Sequence, residues 1–187
     1  CYSLTNASFP STLEEIGEYA FYLSGLTGLD LSGTNVTKIG FRAFQGCTAL
    51  KTASFPSTLE EIGIGAFNGA GLTSLNLSGT SVTKIGDGAF YQCNNLTTVS
   101  FPPSLEEIGT RAFSSSGLTS LDLSNTSVTK ISQEAFTYSG DLITASFPAS
   151  LNEIGESAFK YSGLASLNLS DTSVTKIGDG AFYLSLI

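Results

Sequence analysis

The chain repeats itself, and the interval of the repeat constrains everything else about its fold. The segment Ser-Phe-Pro-Ser-Thr-Leu-Glu-Glu-Ile-Gly returns nearly unchanged, with Phe9, Phe55, Phe101 and Phe147 each 46 residues after the last. Leu31, Leu77, Leu123 and Leu169 keep the same step, and four such units fill the chain from Leu4 to Ile187. A shorter period runs inside the longer one: Phe21, Phe44, Phe67, Phe90, Phe113, Phe136, Phe159 and Phe182 fall 23 residues apart. Each unit is therefore two unequal coils, one type starting at Leu4, Leu50, Leu96 and Leu142 and the other at Leu26, Leu72, Leu118 and Leu164, giving eight coils. A period of this length belongs to stacked architectures, in which a unit too small to bury its own apolar face buries it against its neighbours.

Within a coil the apolar residues begin close together, as at Leu26, Leu29 and Leu31, and then widen to Val36, Ile39, Ala43 and Phe44. The close spacing predicts a short strand, and the Ala-Phe pair predicts one turn of α- or 3₁₀-helix on the opposite side. Pro10, Pro56, Pro102 and Pro148 stand just past the strand, where a missing N–H ends a ladder. Gly17, Gly40, Gly63, Gly86, Gly109, Gly155 and Gly178 follow the Ile of each coil, which predicts positive φ or close backbone approach; Ser132 alone breaks the column and reads as a tolerated substitution.

These residues resemble the BspA-like, or Treponema-type, leucine-rich repeats, whose coils carry an Ile-Gly-x-x-Ala-Phe-x-x-Cys-x-x-Leu stretch. Ile39, Gly40, Ala43, Phe44, Cys47 and Leu50 match it, as do Ile85, Gly86, Ala89, Phe90, Cys93 and Leu96. The resemblance covers essentially the whole chain. It implies a leucine-rich-repeat solenoid with one parallel β-strand per coil and short helical or 3₁₀ turns opposite, eight coils in four 46-residue units. Residues 1–187 are expected to form a single solenoid, either a segment of a longer array or an uncapped stacking unit. The resemblance also implies an extracellular or cell-surface location and adhesion to host proteins or other cells. The family's Asn or Cys ladder position is held here by Thr34, Thr80, Thr126 and Thr172 in one coil type, with Thr12, Thr58, Ser104 and Ser150 nearby in the other. Hydroxyls bond turn backbone groups, though less completely than an amide does.

Charge and composition exclude several functions. A net charge of −8, with eight Lys and Arg residues spread along the chain, provides no basic stripe for nucleic acid. No apolar run approaches a membrane span, so no membrane insertion is expected. Histidine is absent, which removes the commonest general base, and no motif joins a nucleophile, a base and an orienting group. The chain is not expected to be an enzyme. No coil clusters carboxylates as a calcium loop does, so neither a metal nor a cofactor is expected; Asp87-Gly88 and Asp179-Gly180 read as turns.

Aligning the coils at their Ile puts Glu15, Glu61, Glu107 and Glu153 in register with Lys38, Lys84, Lys130 and Lys176, so acid and base alternate along one edge. Alternation fixes register without like-charge repulsion. Cys1, Cys47 and Cys93 share one column with Ser139. Two coils of separation place neighbouring cysteines ~10 Å apart, beyond the reach of a disulfide, so they are expected to be buried free thiols.

The outward strand positions are small and polar. Asp30, Ser74, Asn76, Thr98, Ser120, Asp122, Thr144 and Asn168 are the candidate ligand-binding residues of this face, which otherwise reads as solvated surface. As a site it would be a polar platform for a glycan, ice or a protein, although it lacks the aromatic or Arg anchors usual at protein interfaces. Six sequons, at Asn6, Asn35, Asn76, Asn95, Asn125 and Asn168, are candidate N-glycosylation sites. The function expected is an extracellular or cell-surface binding or adhesion scaffold with a protein or glycan partner. The alternative is a structural filament subunit stacking on itself, the Ile187 end of one copy meeting the Cys1 end of the next.

Overall fold

A computed structural model describes residues 2–185. Its backbone is a stack of coils held by one uninterrupted parallel sheet of eight two-residue strands: Glu15–Ile16, Lys38–Ile39, Glu61–Ile62, Lys84–Ile85, Glu107–Ile108, Lys130–Ile131, Glu153–Ile154 and Lys176–Ile177. Every pairing sets Ile against Ile and Glu against Lys, the register read from the sequence.

The leucine-spaced segments pair differently. They form three separate two-stranded sheets, Gly28–Asp30 with Thr52–Ser54, Ser74–Asn76 with Thr98–Ser100, and Ser120–Asp122 with Thr144–Ser146. The coils are unequal here, with the step from Leu26 to Leu50 two residues longer than that from Leu50 to Leu72, whereas the Ile column repeats evenly. Hydrogen bonding therefore closes on one side of each coil pair and stops at the Phe-Pro that follows Ser54, Ser100 and Ser146.

The side opposite the sheet departs from expectation, since the described residues contain no α- or 3₁₀-helix. A helix directs every N–H along its own axis, and here alternate N–H groups point across to the next coil instead. Arg42, Phe44 and Gly46 donate to Ile64, Ala66 and Asn68 carbonyls at 2.7–2.9 Å, while Ala43 and Gln45 close local turns onto Gly40 and Arg42. Two residues of each turn take left-handed backbone to make this possible. One column holds Tyr19, Arg42, Gly65, Gly88, Arg111, Glu134, Ser157 and Gly180, and the other Leu23, Gly46, Gly69, Gln92, Ser115, Tyr138, Tyr161 and Leu184.

Packing follows the same periods. The eight Phe rings of the 23-residue column stack face to face at 5.1–5.6 Å with interplanar angles of 1–11°. The six from Phe44 to Phe159 are fully buried. Phe9, Phe55, Phe101 and Phe147 meet alternate members edge-on at 5.7–6.0 Å. Such pairs add about 0.5–1.5 kcal/mol each beyond their buried area. The glycine after Ile serves close approach, not positive φ: a Cβ on Gly86 would lie 2.7 Å from the Gly63 carbonyl carbon. Its N–H donates to Ile62 O at 2.8 Å, and the bond recurs at Gly40, Gly63, Gly109, Gly155 and Gly178 but has no counterpart at Ser132.

Cys47 and Cys93 are buried free thiols, as expected, each donating to a Phe carbonyl at 3.1 Å. Ser139 and Ser185 make the same bond, so the column selects a small donor. Burial pushes the Cys93 thiol up to about 12. Cys1 and Ile187, on which the stacking of chain ends turns, lie outside the described residues.

Candidate functional site

The candidate residues of the strand face are all exposed, and the strand pairs bring them together in rows. Ser74 sits beside Thr98 and Ser120 beside Thr144, while Asp30, Asn76 and Asp122 stand beside Ser54, Ser100 and Ser146. Residues 166–168 lie outside any strand.

Asp30, Asn76, Asp122 and Asn168 also have a role that their spacing alone did not reveal. Each places its Oδ1 where it accepts two hydrogen bonds from the serine two residues on, one from the backbone N–H at 3.0–3.1 Å and one from the hydroxyl at 2.7–2.8 Å. These bonds, the hydroxyl's first, hold the Asp30 and Asp122 carboxyls below the usual carboxylate range. Asp and Asn alternate in the column because the turn needs only one acceptor oxygen, which both supply. The other oxygen or nitrogen of each side chain is left for solvent or a ligand. Further along the coil, Thr34, Thr80, Thr126 and Thr172 donate to the carbonyl three residues back at 2.7–2.8 Å and accept from the Val N–H two residues on. Thr58, Ser104 and Ser150 reach the Val carbonyl of the preceding coil at 2.8–2.9 Å.

Where the strand pairs fail to join, the surface opens into grooves. One lies over Phe101, between Val99 and Ser100 on one side and Asp122, Asn125 and Thr126 on the other. Its equivalent 46 residues later lies over Phe147, between Ala145 and Ser146 and Asn168, Asp171 and Thr172; each encloses about 150 Å³.

The charged edge is a different kind of surface. Lys38–Glu61, Lys84–Glu107 and Lys130–Glu153 pair at 3.1–3.2 Å, and Glu153 also takes Lys176 at 3.0 Å. Hydrogen bonds from Lys176 and Lys130 hold the Glu153 carboxyl low. In the hollow of about 330 Å³ beside them, Lys130, Glu153 and Lys176 satisfy one another, while Glu156 and Asp179 complete the charged lining without an ion pair among the described residues. Among the described residues, no group of three or more His, Cys, Asp or Glu is placed to hold a metal ion.

One cluster escaped the sequence reading. Tyr138 and Tyr161 stack at 4.9 Å on the turn side, Tyr183 meets Tyr161 edge-on, and the Lys160 ammonium lies 5.2 Å from one ring and 5.4 Å from the other. Tyr138 and Tyr183 are 59% and 55% exposed. The signal was the 23-residue step from Tyr138 to Tyr161, which only an alignment of outward turn positions exposes. The asparagines of all six sequons are exposed.

The family described as BspA type Leucine rich repeat region matches residues 1–81 and 72–187, in six copies. No curated protein matches the chain. Among solved structures, a leucine-rich repeat protein from Bacteroides ovatus is 27% identical with a TM-score of 0.67, over 91% of this chain and 50% of its own. The leucine rich repeat protein of T. pallidum is 28% identical with a TM-score of 0.68, over 80% of this chain and 72% of its own. A leucine rich cell surface protein from Faecalibacterium prausnitzii is 25% identical with a TM-score of 0.56, over 100% of this chain and 58% of its own. The chain thus spans about half the length of the B. ovatus protein it matches.

Proposed function

The chain belongs to the BspA-type leucine-rich-repeat family, and from that premise we propose that it is a cell-surface binding and adhesion scaffold, offering its strand face to a protein or glycan partner. The observation that carries this reading is the row of Asp30, Asn76, Asp122 and Asn168, each fixed by its own turn and each exposed. Rigid presentation of polar groups lowers the ordering cost of binding. The charged edge lacks this quality, because its groups are engaged with one another. The description of the F. prausnitzii relative as a cell surface protein supports the location. The scaffold reading gives none of these residues a catalytic role.

Adhesion of labelled protein to cells and to immobilised matrix proteins and glycans tests it. Ser74→Arg/Ser120→Arg, which crowds the face at two exposed strand positions, should abolish adhesion, whereas Tyr138→Ser/Tyr183→Ser should leave it intact. The reverse pattern would move the binding surface to the turn side. Negative-stain electron microscopy separates the scaffold from a head-to-tail filament subunit: discrete particles at every concentration support the scaffold, and fibres with an axial repeat of eight coils support the filament.

A further inference from the structure

The grooves over Phe101 and Phe147 are equivalent residue for residue, and their lining is specific in chemistry. Each has a half-buried phenyl ring at its floor, steadied edge-on by Phe113 or Phe159. One carboxylate and one amide stand on the wall of each, in exchanged places: Asp122 with Asn125, and Asn168 with Asp171. Among the described residues, Asp122 Oδ2, Asn125 Oδ1 and Ser100 Oγ have no protein hydrogen-bond partner, so groups that bond hydroxyls surround an apolar floor. A pyranose ring has the complementary build, with an apolar C–H face and a rim of hydroxyls. We propose that these grooves are two subsites for one uncharged, linear β-linked polysaccharide lying along the solenoid axis, an inference that rests on the strand face being the binding surface.

Three observations select that ligand class. The grooves are two coils apart, ~10 Å at the spacing of parallel strands, which is the length of the two-sugar repeat of an extended β-linked chain. Neither groove is lined by Lys or Arg, and each carries a carboxylate, so sulfated and uronate polymers are repelled. Neither offers the Trp, Tyr or Arg anchor on which protein partners concentrate their affinity. The places equivalent to Asn125 and Asp171 in the first two units are Gly33 and Gly79, with open space above them, so the second polar group of the wall is present only in the later units.

Calorimetry with neutral β-linked gluco-, manno-, xylo- and N-acetylglucosamine hexasaccharides, their disaccharides and soluble uronate polymers tests the proposal, on protein made in bacteria so that Asn125 and Asn168 are bare. At least one neutral hexasaccharide should bind, about tenfold or more tighter than its disaccharide because it reaches both grooves. Asn125→Gly/Asp171→Gly copies the side chains of the first two units, so it should melt like the parent and bind about tenfold or more weakly. No binding by any neutral hexasaccharide, stronger binding of the uronate polymers, or undiminished binding by the folded double variant would overturn the proposal. If adhesion still depends on Ser74 and Ser120 in those cases, the scaffold reading stands and only the polysaccharide is wrong.

Discussion

Two faces of this solenoid are built from the same coils and behave oppositely. Along the Ile column each coil advances by 23 residues, and the sheet runs through eight strands with Glu against Lys. Along the leucine-spaced face the advance alternates between longer and shorter steps, and the sheet breaks into three pairs. A uniform step lets each strand hydrogen-bond on both sides. An alternating step closes one side and leaves the other joined by a single backbone bond, as from Thr73 to Lys51 and from Thr119 to Thr97, with proline past the strand to keep the rest open. Continuity gives the first face its strength, and interruption gives the second its grooves.

The comparison breaks first, and most heavily, at the aromatic stack. Phe90→Ala removes a fully buried ring from the middle of the column and should cost about 3–5 kcal/mol. Phe101→Ala, on the half-buried floor of a groove, should cost about half of that, since only part of its area leaves water on folding. Urea midpoints of the two variants measure the difference, and equal losses would mean that the interrupted face bears as much of the stability as the continuous one.

Glycine offers the next contrast. Gly86→Ala places a methyl group 2.7 Å from backbone of the preceding coil, where nothing flexible yields, and overpacking of this kind costs about 1–3 kcal/mol. Gly79→Ala, on the interrupted face, meets nothing within 4 Å and should change stability by less than about 0.5 kcal/mol. Ser132 already carries a Cβ in the crowded column and lacks the ladder bond its neighbours make, so Ser132→Gly should raise the melting midpoint.

Much of the continuous face was legible in the sequence. Equal spacing of Ile, Phe and Gly gives register directly, and the Glu–Lys order and the buried thiols followed from it. The turns opposite were not legible as such. Ala-Phe after Ile-Gly is compatible with a helical turn, and only the stacked neighbour, which captures alternate N–H groups, decides against it. Tyr19, Arg42, Tyr138 and Tyr161 take left-handed backbone despite a penalty of about 1–2 kcal/mol each, so their identity gave no warning. The grooves depend on which strands fail to pair, and the exposed tyrosines on which turn positions face outward. Both are consequences of three-dimensional stacking, not of spacing in one coil.

A smaller effect tests the turn of the interrupted face. Asp122→Asn keeps the acceptor oxygen and should be nearly neutral at pH 7, because Asn76 already makes both bonds to its serine. Asp122→Ala removes the acceptor and should cost about 0.5–1 kcal/mol, a value at the low end for a hydrogen bond because the site is exposed. Denaturation of the pair at neutral pH tests whether the aspartate serves the turn or is held there for a ligand. Equal stability of the alanine variant would leave the carboxylate no structural purpose.

The smallest effect belongs to the charged edge and appears as a dependence on pH. The Glu153 carboxyl is held low by Lys176 and Lys130, and Glu134 by Arg111. A carboxyl depressed in the folded state contributes stability that is present above its unfolded value of about 4.3 and lost as the pH falls through the lower folded value. The parent should therefore hold its urea midpoint from pH 7 down to the ordinary carboxylate range and lose stability below it. Glu153→Gln should start slightly less stable at neutral pH and fall less steeply, because its amide has no proton to gain. The exposed pairs along this edge are screened by salt, so the two proteins should converge as sodium chloride is raised. A gap that persisted at high salt would locate the role of Glu153 in hydrogen-bond geometry, with the alternating charges acting to exclude misregistered stacking and not to strengthen the correct one.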